Sequence, residues 1–379
     1  MLPAWPVAAL TVALCLAPGV LVAQSYTQLA TPYNFIATAG HTVLNGFAAG
    51  LGCPDTNGDD SISAPINIGF TYRFGATSYT QVRIFTNGRL EFGSTYCYFG
   101  TSAVGPPRTY PDPMAAANVV NTMRVYGADL DVSPAGGGTI TYSTVGAAPN
   151  RRFVVTWNNV LQWSAAGTSY NLQIQLDEGG DFYYMYGTNK NTANSGEVLG
   201  PAQIGWELTT TDFVVVQSGL PANNTGMRFR LRPVLNVAKT SAVISDPIDG
   251  TTNPKRIPGA IIRYSVTLTN TGVGTVDTGT AITDPVPAGT DLYVGSVSGQ
   301  AVDFIDGATP SGLSFAFPAN VSYSNTPGGT SNFTYTPIAD AAGFDPAVTG
   351  VRIAPTGVMN AAVGAASPSF TVRFRTRIR

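Results

Sequence analysis

The sequence predicts an all-β protein made of two consecutive β-sandwich domains, the second of them immunoglobulin-like. The 42 glycines and 27 prolines supply many turns, and the runs between them are rich in Val, Ile, Thr, Tyr and Phe, which fit a pleated surface. Apolar and polar residues alternate in runs such as YNLQIQLD at Tyr170–Asp177. No long window carries apolar residues at helical spacing, so helices are not expected.

The first 23 residues are predicted to form an export signal. An apolar run from Val7 to Val22 ends at the small residue Ala23. It is short and interrupted by proline, which suits a cleaved leader better than a membrane span. We therefore expect a secreted or cell-surface protein without a transmembrane anchor.

The first domain, predicted over residues 24–233, is organised around a strand meander at residues 125–163. Its turns are indicated by Gly, Pro and Asn-Gly signals, and TNGR at Thr86–Arg89 predicts a tight hairpin. The predicted strands are Ala64–Phe74, Val82–Phe92, Val125–Val132, Thr139–Ser143, Phe153–Trp157, Tyr170–Asp177, Asp181–Gly187, Gln203–Leu208, Phe213–Gln217 and Gly226–Arg232.

The second domain is predicted over residues 234–379, with the boundary near Pro233. Each domain ends in a strand that alternates apolar residues with arginines, MRFRLR and FTVRFRTRIR. Seven or so short strands over this length favour an immunoglobulin-like sandwich. Besides the strand in AIIRYSVTLTNTG, they are Ala281–Asp284, Leu292–Val297, Leu313–Phe317, Val321–Ser324, Phe333–Thr336, Val348–Ile353 and Phe370–Ile378.

Cleavage of the signal leaves two cysteines, Cys53 and Cys97. Two cysteines in an exported chain most often pair, so a disulfide is predicted. The alternatives are a metal site, which needs more ligands, and a thiol nucleophile, which needs a nearby histidine; His41 is the one histidine of the sequence.

The loop DTNGDDSI is a candidate calcium site, with oxygen-bearing side chains at Asp55, Asn57, Asp59 and Ser61. This spacing matches positions 1, 3, 5 and 7 of a calcium loop. Position 6 is Asp60 where such loops have glycine, and position 12 is Ile66 where they have glutamate. The alternative is a solvated acidic turn.

A pair of carboxylates, Asp129 and Asp131, is predicted to face one side of a strand because the residues are two apart. The pair is a candidate for a structural role in a turn, for cation binding, or for glycoside hydrolysis, which needs two carboxyl groups around the bond. In an enzyme, Asp177 or Asp181 would be further candidates.

Strand aromatics and arginine rows are candidate ligand surfaces. Tyr183 points opposite Tyr184, so one of the two is expected to be exposed, and Trp163 ends a strand. Exposed rings of this kind would stack on sugars, whereas the alternative is that they fill the core. The arginine rows would either grip anionic polysaccharide or protect a sheet edge.

The stretch from ADLD through RRFVVTWNNV to AQIGWE resembles the nidogen-type extracellular domain. The matching positions are Asp129, Asp131, Trp157, Gln173, Gly180 and Gly205. Gly205 is followed by Trp206 where that family usually has Phe. The resemblance implies an extracellular domain used in adhesion or architecture, without a catalytic centre.

The beginning of the second domain is similar to a bacterial surface repeat known as domain of unknown function eleven. The matching positions are Pro258, Gly259, Tyr264, Asn270, Gly272, Asp284, Pro285 and Pro287. This resemblance implies a stalk or spacer in an exported bacterial protein, although only one copy is present.

Together these features predict a non-enzymatic adhesion or matrix-type protein that binds extracellular protein or glycan. The net charge of −2 argues against a nucleic-acid partner, which needs a clustered basic surface. Two alternatives stay open: a carbohydrate-active enzyme or carbohydrate-binding module using Asp129, Asp131 and exposed aromatics, and a structural subunit that self-associates.

The predicted disulfide is tested by alkylating the mature chain with and without reductant and measuring its mass. We expect Cys53 and Cys97 to resist alkylation until reduced. Reduction is expected to lower the free energy of unfolding by about 4 kcal/mol, because the bridge closes a loop of several tens of residues. Alkylation of both cysteines without reductant would contradict the prediction.

Overall fold

The structure is a computed structural model that describes residues 25–48, 56–93, 120–133, 137–163, 165–190, 202–277, 279–295 and 299–379. Within these ranges the regular elements are strands, which confirms the predicted all-β class. No helix of the described residues is long and apolar enough to cross a membrane. The strands are β1 Tyr26–Leu29, β2 Thr42–Val43, β3 Ile66–Phe74, β4 Thr77–Phe85, β5 Arg89–Glu91, β6 Thr122–Arg124, β7 Leu130–Asp131, β8 Thr139–Val145, β9 Arg152–Gln162, β10 Ala165–Asp177, β11 Phe182–Tyr186, β12 Gln203–Thr209, β13 Asp212–Ser218, β14 Thr225–Leu231, β15 Leu235–Ser245, β16 Ile261–Asn270, β17 Ile282–Pro285, β18 Thr290–Tyr293, β19 Val302–Asp306, β20 Leu313–Ser314, β21 Val321–Ser324, β22 Phe344–Asp345, β23 Gly350–Ile353, β24 Thr356–Gly357 and β25 Ser369–Ile378.

Two antiparallel sheets form the N-terminal part of the fold. The larger sheet has the order β1-β14-β11-β10-β9-β8-β2, with β7 paired to β9, and the smaller has the order β13-β12-β6-β5-β4-β3. Their facing side chains make one aromatic-rich core that includes Trp157, Phe182, Tyr184 and Trp206. Burial of apolar side chains of this size is the main stabilising term of such a sandwich.

The polar face of β10 is covered rather than solvated. Leu172, Ile174 and Leu176 face the core, as their alternation predicts. Gln173 and Gln175 point the other way, yet both are fully buried. The Gln173 amide exchanges two hydrogen bonds of 2.9 Å with the backbone of Ile36, and Gln175 donates to the Asn34 carbonyl oxygen. The segment before β2 therefore packs on this sheet through glutamine amides.

The predicted hairpin at Thr86–Arg89 is confirmed, since it connects β4 to β5.

The strand predicted over Val125–Val132 is wrong except at β7. Its first residues instead make isolated backbone hydrogen bonds. The Val125 amide donates to the Gly88 carbonyl oxygen, and the Gly127 amide donates to the Gln203 carbonyl oxygen. Gly88 has a φ of +72°, and a Cβ there would lie 2.3 Å from the Tyr126 carbonyl oxygen. The absence of a side chain at Gly88 therefore lets the backbone at Tyr126 lie directly against the hairpin.

The C-terminal part forms a second set of antiparallel sheets around a separate apolar cluster. The sheets have the orders β15-β16-β25-β18-β22, with β19 paired to β25, then β17-β23-β21, and β20-β24. Val266, Leu268, Val351 and Phe370 are among the buried residues of this cluster.

The predicted strand Phe333–Thr336 is wrong, because only Tyr335 pairs there, in an isolated bridge to Tyr323. The division into two domains at Pro233 stays a prediction.

Trp157 provides a test of the sandwich core. It is fully buried and its indole N–H donates a 2.8 Å hydrogen bond to the Thr86 carbonyl oxygen. We expect Trp157→Phe to lower the free energy of unfolding by about 2 kcal/mol, through the lost bond and the smaller ring. Urea unfolding followed by tryptophan fluorescence measures this.

The matched control is Trp163→Phe, because the Trp163 side chain is 53% exposed. Its expected effect is within about 0.5 kcal/mol, as for surface substitutions in general. Equal destabilisation by the two variants would contradict the assignment of Trp157 to the core.

Candidate functional site

The acidic loop predicted to bind calcium packs against the segment that carries Asp129. The Val132 amide donates a 3.2 Å hydrogen bond to the Gly58 carbonyl oxygen. Gly58 has a φ of +112°, and a Cβ there would lie 2.9 Å from the Val132 side chain. A glycine is therefore needed for the loop to approach this segment.

Local hydrogen bonds hold the loop in a tight turn. Asn57 Oδ1 accepts the Asp59 amide at 3.0 Å. Ser61 Oγ accepts the Gly58 amide at 3.2 Å and donates to the Asp59 carbonyl oxygen at 2.7 Å. Asp60 has a φ of +45°, the left-handed conformation that glycine usually supplies at this position of a calcium loop. The loop thus adopts the required backbone without the glycine.

Three carboxylates meet where the loop and the segment touch. Oxygens of Asp59, Asp60 and Asp129 lie within 4.8 Å of one another, and we call this group the acidic cluster. Asp129 is buried, whereas Asp59 and Asp60 are partly buried. Oxygens that share one calcium ion at about 2.4 Å from it lie at most about 5 Å apart. The spacing of the acidic cluster therefore suits a single calcium ion.

Asn87, in the β4–β5 hairpin, positions both sides of the acidic cluster. Its Nδ2 donates to Asp60 Oδ1 at 2.7 Å, and its Oδ1 accepts the Leu130 amide at 2.9 Å. Neither Asn87 nor Asp60 was among the candidate site residues from sequence. The sequence could have indicated Asp60, because it lies inside the loop motif. For Asn87 the sequence indicated only a residue of a turn.

The predicted ligands are divided by the structure. Asp59 joins the acidic cluster, whereas the side-chain oxygens of Asn57 and Ser61 bond within the loop. Asp55 lies outside the described residues, as do Cys53 and Cys97, so the disulfide stays a prediction.

The two aspartates of the ADLD motif have different surroundings. Asp129 belongs to the acidic cluster and Asp131 does not. Asp131 Oδ1 accepts the Ser133 amide at 2.7 Å, which closes a turn after β7. The two carboxylates therefore do not form the expected pair. Asp129 precedes β7 and is not part of a regular strand, whereas Asp131 is the last residue of β7.

Trp163 lies beside the acidic cluster along the backbone. Its amide donates a 2.8 Å hydrogen bond to the Asp129 carbonyl oxygen. Its side chain is 53% exposed, which agrees with its candidate role as a ligand-binding aromatic. At one end of β9, a tryptophan with an exposed side chain is thus joined through its backbone to a residue of the acidic cluster.

Tyr183 occupies a different place, a cleft of about 450 Å³ between the N-terminal sandwich and residues 273–277. The expectation that Tyr183 or Tyr184 is exposed is wrong, since Tyr183 is 8% exposed and Tyr184 is fully buried. The reason is that Arg152 and Arg228 cover the Tyr183 ring, at 4.5 and 5.7 Å from its centroid. Burial raises the pKa of Tyr183, and the charges of the two arginines oppose that shift.

The carboxylates of this cleft are in ion pairs. Asp177 accepts a 2.9 Å hydrogen bond from Arg152, and Asp181 accepts bonds from both Arg228 and Arg230. Arg230 also bonds to Asp277. Arg228 and Arg230 belong to the row predicted to grip an anion or protect an edge, and here they, like Arg152, form ion pairs with carboxylates of their own chain.

Residues 25–250 match the family described as NIDO related. The match covers more than half of the 379 residues, and the chain belongs to this family. The nidogen-like resemblance is thereby confirmed, while the resemblance to the surface repeat stays a prediction. A search of curated proteins and a search of solved structures found no match.

Cation binding at the acidic cluster is tested by Asp129→Asn. We expect the wild-type mature chain to bind calcium, and the variant to bind it at least about tenfold more weakly, because affinity depends on the number of charged ligands. Isothermal titration calorimetry measures both.

Asp131→Asn is the matched control, because an asparagine oxygen can still accept the Ser133 amide. Its calcium affinity is expected to equal that of the wild type. Absence of binding at millimolar calcium, or equal loss in both variants, would contradict the assignment.

Proposed function

We propose that this protein is an exported, non-enzymatic adhesion-type protein whose N-terminal sandwich binds an extracellular glycan. The binding surface is the acidic cluster together with Trp163, and the C-terminal sheets act as a spacer or assembly module. Membership of the NIDO-related family supports an extracellular role, and so does the predicted export signal.

The observation that carries the proposal is the position of Trp163. An indole that is 53% exposed is one backbone hydrogen bond away from Asp129. An aromatic face stacks on the apolar side of a sugar ring, and a calcium ion accepts hydroxyl oxygens as ligands. The indole and a calcium ion at the acidic cluster would thus contact the two kinds of group on a sugar, its apolar ring face and its hydroxyl oxygens.

A protein ligand is the other partner predicted from sequence. The geometry favours a glycan because the surface combines one ring with carboxylates, whereas a stable protein interface has a larger apolar centre.

A carbohydrate-active enzyme is less well supported than a binding protein. Hydrolysis requires two carboxyl groups placed around one glycosidic bond. Asp177 and Asp181 are held in ion pairs with arginines, and Asp131 bonds to the Ser133 amide. Of the candidate aspartates this leaves Asp129, which lies close enough to Asp59 and Asp60 for the three carboxylates to share one cation. Such a grouping suits a set of cation ligands.

Glycan-array binding of the mature chain, with calcium and with chelator, tests the proposal. We expect Trp163→Ala to reduce retention at least about tenfold, since loss of a stacking ring removes apolar contact area. Chelator is expected to reduce it to a similar extent. The matched control is Tyr33→Ala, which removes a ring that is 39% exposed elsewhere on the surface.

Two further outcomes separate the alternatives. Cleavage of a bound glycan, abolished by Asp129→Asn, would replace the binding proposal by the enzyme. Retention on matrix proteins alone, lost in Trp163→Ala, would assign the same surface to a protein ligand. Equal retention by Trp163→Ala and Tyr33→Ala would show that the surface is not the binding site.

A further inference from the structure

Strand β15, Leu235–Ser245, is a long exposed edge of the C-terminal sheet. It stands at the end of the sheet order, and among the described residues it pairs only with β16. Every residue from Leu235 to Ala242 is exposed. In an antiparallel ladder an edge strand directs alternate N–H and C=O groups away from its partner, where they can pair with another strand.

Apolar side chains of β15 lie uncovered on the face that elsewhere forms the core. Val237 is opposite Leu268 in the register, and cross-strand partners share a face. Leu268 is 5% exposed whereas Val237 is 58% exposed. Leu235, two residues before it and on the same face, is 43% exposed. The edge thus combines unpaired backbone with an apolar strip.

The strand is self-complementary about its centre. The run VAKTSAV at Val237–Val243 has the same apolar residues in either direction from Thr240. If a second copy pairs antiparallel with a two-fold axis at Thr240, Val237 faces Val243 and Ala238 faces Ala242. Shifting the axis to Lys239 would instead place Val237 against Ser241 and Lys239 against itself. The pattern therefore selects one register.

The charge on the strand is compatible with that register. Lys239 is the one charged residue of β15, and it would face Ser241 of the other copy. Its ammonium bonds to Asp284 at 2.6 Å and lies 5.0 Å from the centroid of the Tyr264 ring. Arg256 donates to the Ser241 hydroxyl within the chain. The lysine is thus directed back onto its own chain, away from the open edge.

We propose that two copies of this chain associate through β15, which pairs with its own counterpart antiparallel about a two-fold axis at Thr240. The two C-terminal sheets then form one continuous sheet. The contact is isologous and closes on itself, so it produces a dimer and not a fibre. The N-terminal binding surfaces become bivalent, which increases retention on a repetitive ligand.

Sedimentation velocity of the full mature chain tests the proposal. We expect a concentration-dependent dimer in the wild type. Ala238→Lys with Ala242→Lys places lysine opposite lysine twice and is expected to weaken association at least about tenfold. Ala238→Glu with Ala242→Lys places glutamate opposite lysine and is expected to restore it. Both alanines are exposed, and circular dichroism verifies that the variants fold.

A cross-link tests the register. Thr240→Cys puts a cysteine against its own copy, within the Cα separation that a disulfide requires, so oxidation is expected to give a covalent dimer. Asn236→Cys is the control, because in this register its copies lie about 27 Å apart at about 3.4 Å per residue. A wild type that stays monomeric, equal association of the two double variants, or no excess of cross-linking at Thr240 would overturn the proposal.

Discussion

One hydrogen bond joins the core of the sandwich to the candidate site. The buried Trp157 indole donates to the Thr86 carbonyl oxygen at the start of the β4–β5 hairpin. The Thr86 side chain and amide in turn bond to the backbone of Ser61, and Asn87 bonds to Asp60. The position of the acidic loop therefore depends on the packing of the Trp157 ring in the core.

The alternation of apolar and polar residues was sufficient to predict strands that lie beside other alternating strands. β10 is an example, because Leu172, Ile174 and Leu176 face the core as expected. The hairpin at Thr86–Arg89 was likewise predictable, since Asn-Gly turns have few alternatives. Asp59, a member of the loop motif, lies near the carboxylates of Asp60 and Asp129, and calcium binding by the loop stays a prediction.

The remaining features depend on contacts that alternation does not encode. Gln173 and Gln175 are buried because a distant segment covers them. Tyr183 is buried because two arginines close over its ring. The acidic cluster joins Asp59 and Asp129, which are far apart in sequence and were assigned to two separate sites. In each case the partner comes from another strand or loop, so only the folded arrangement reveals it.

The pairing of β1 with β14 determines how the N-terminal sandwich would respond to tension. Tyr26, where the chain enters the sheet, is the register partner of Leu231, where it leaves, and the Arg232 amide bonds to the Ser25 carbonyl oxygen. A force that pulls residues 25 and 232 apart therefore acts across the β1–β14 pair, at the end where the two strands meet. Because the strands are antiparallel, their backbone hydrogen bonds would break one after another from that end, and the rest of the sandwich would carry little of the load.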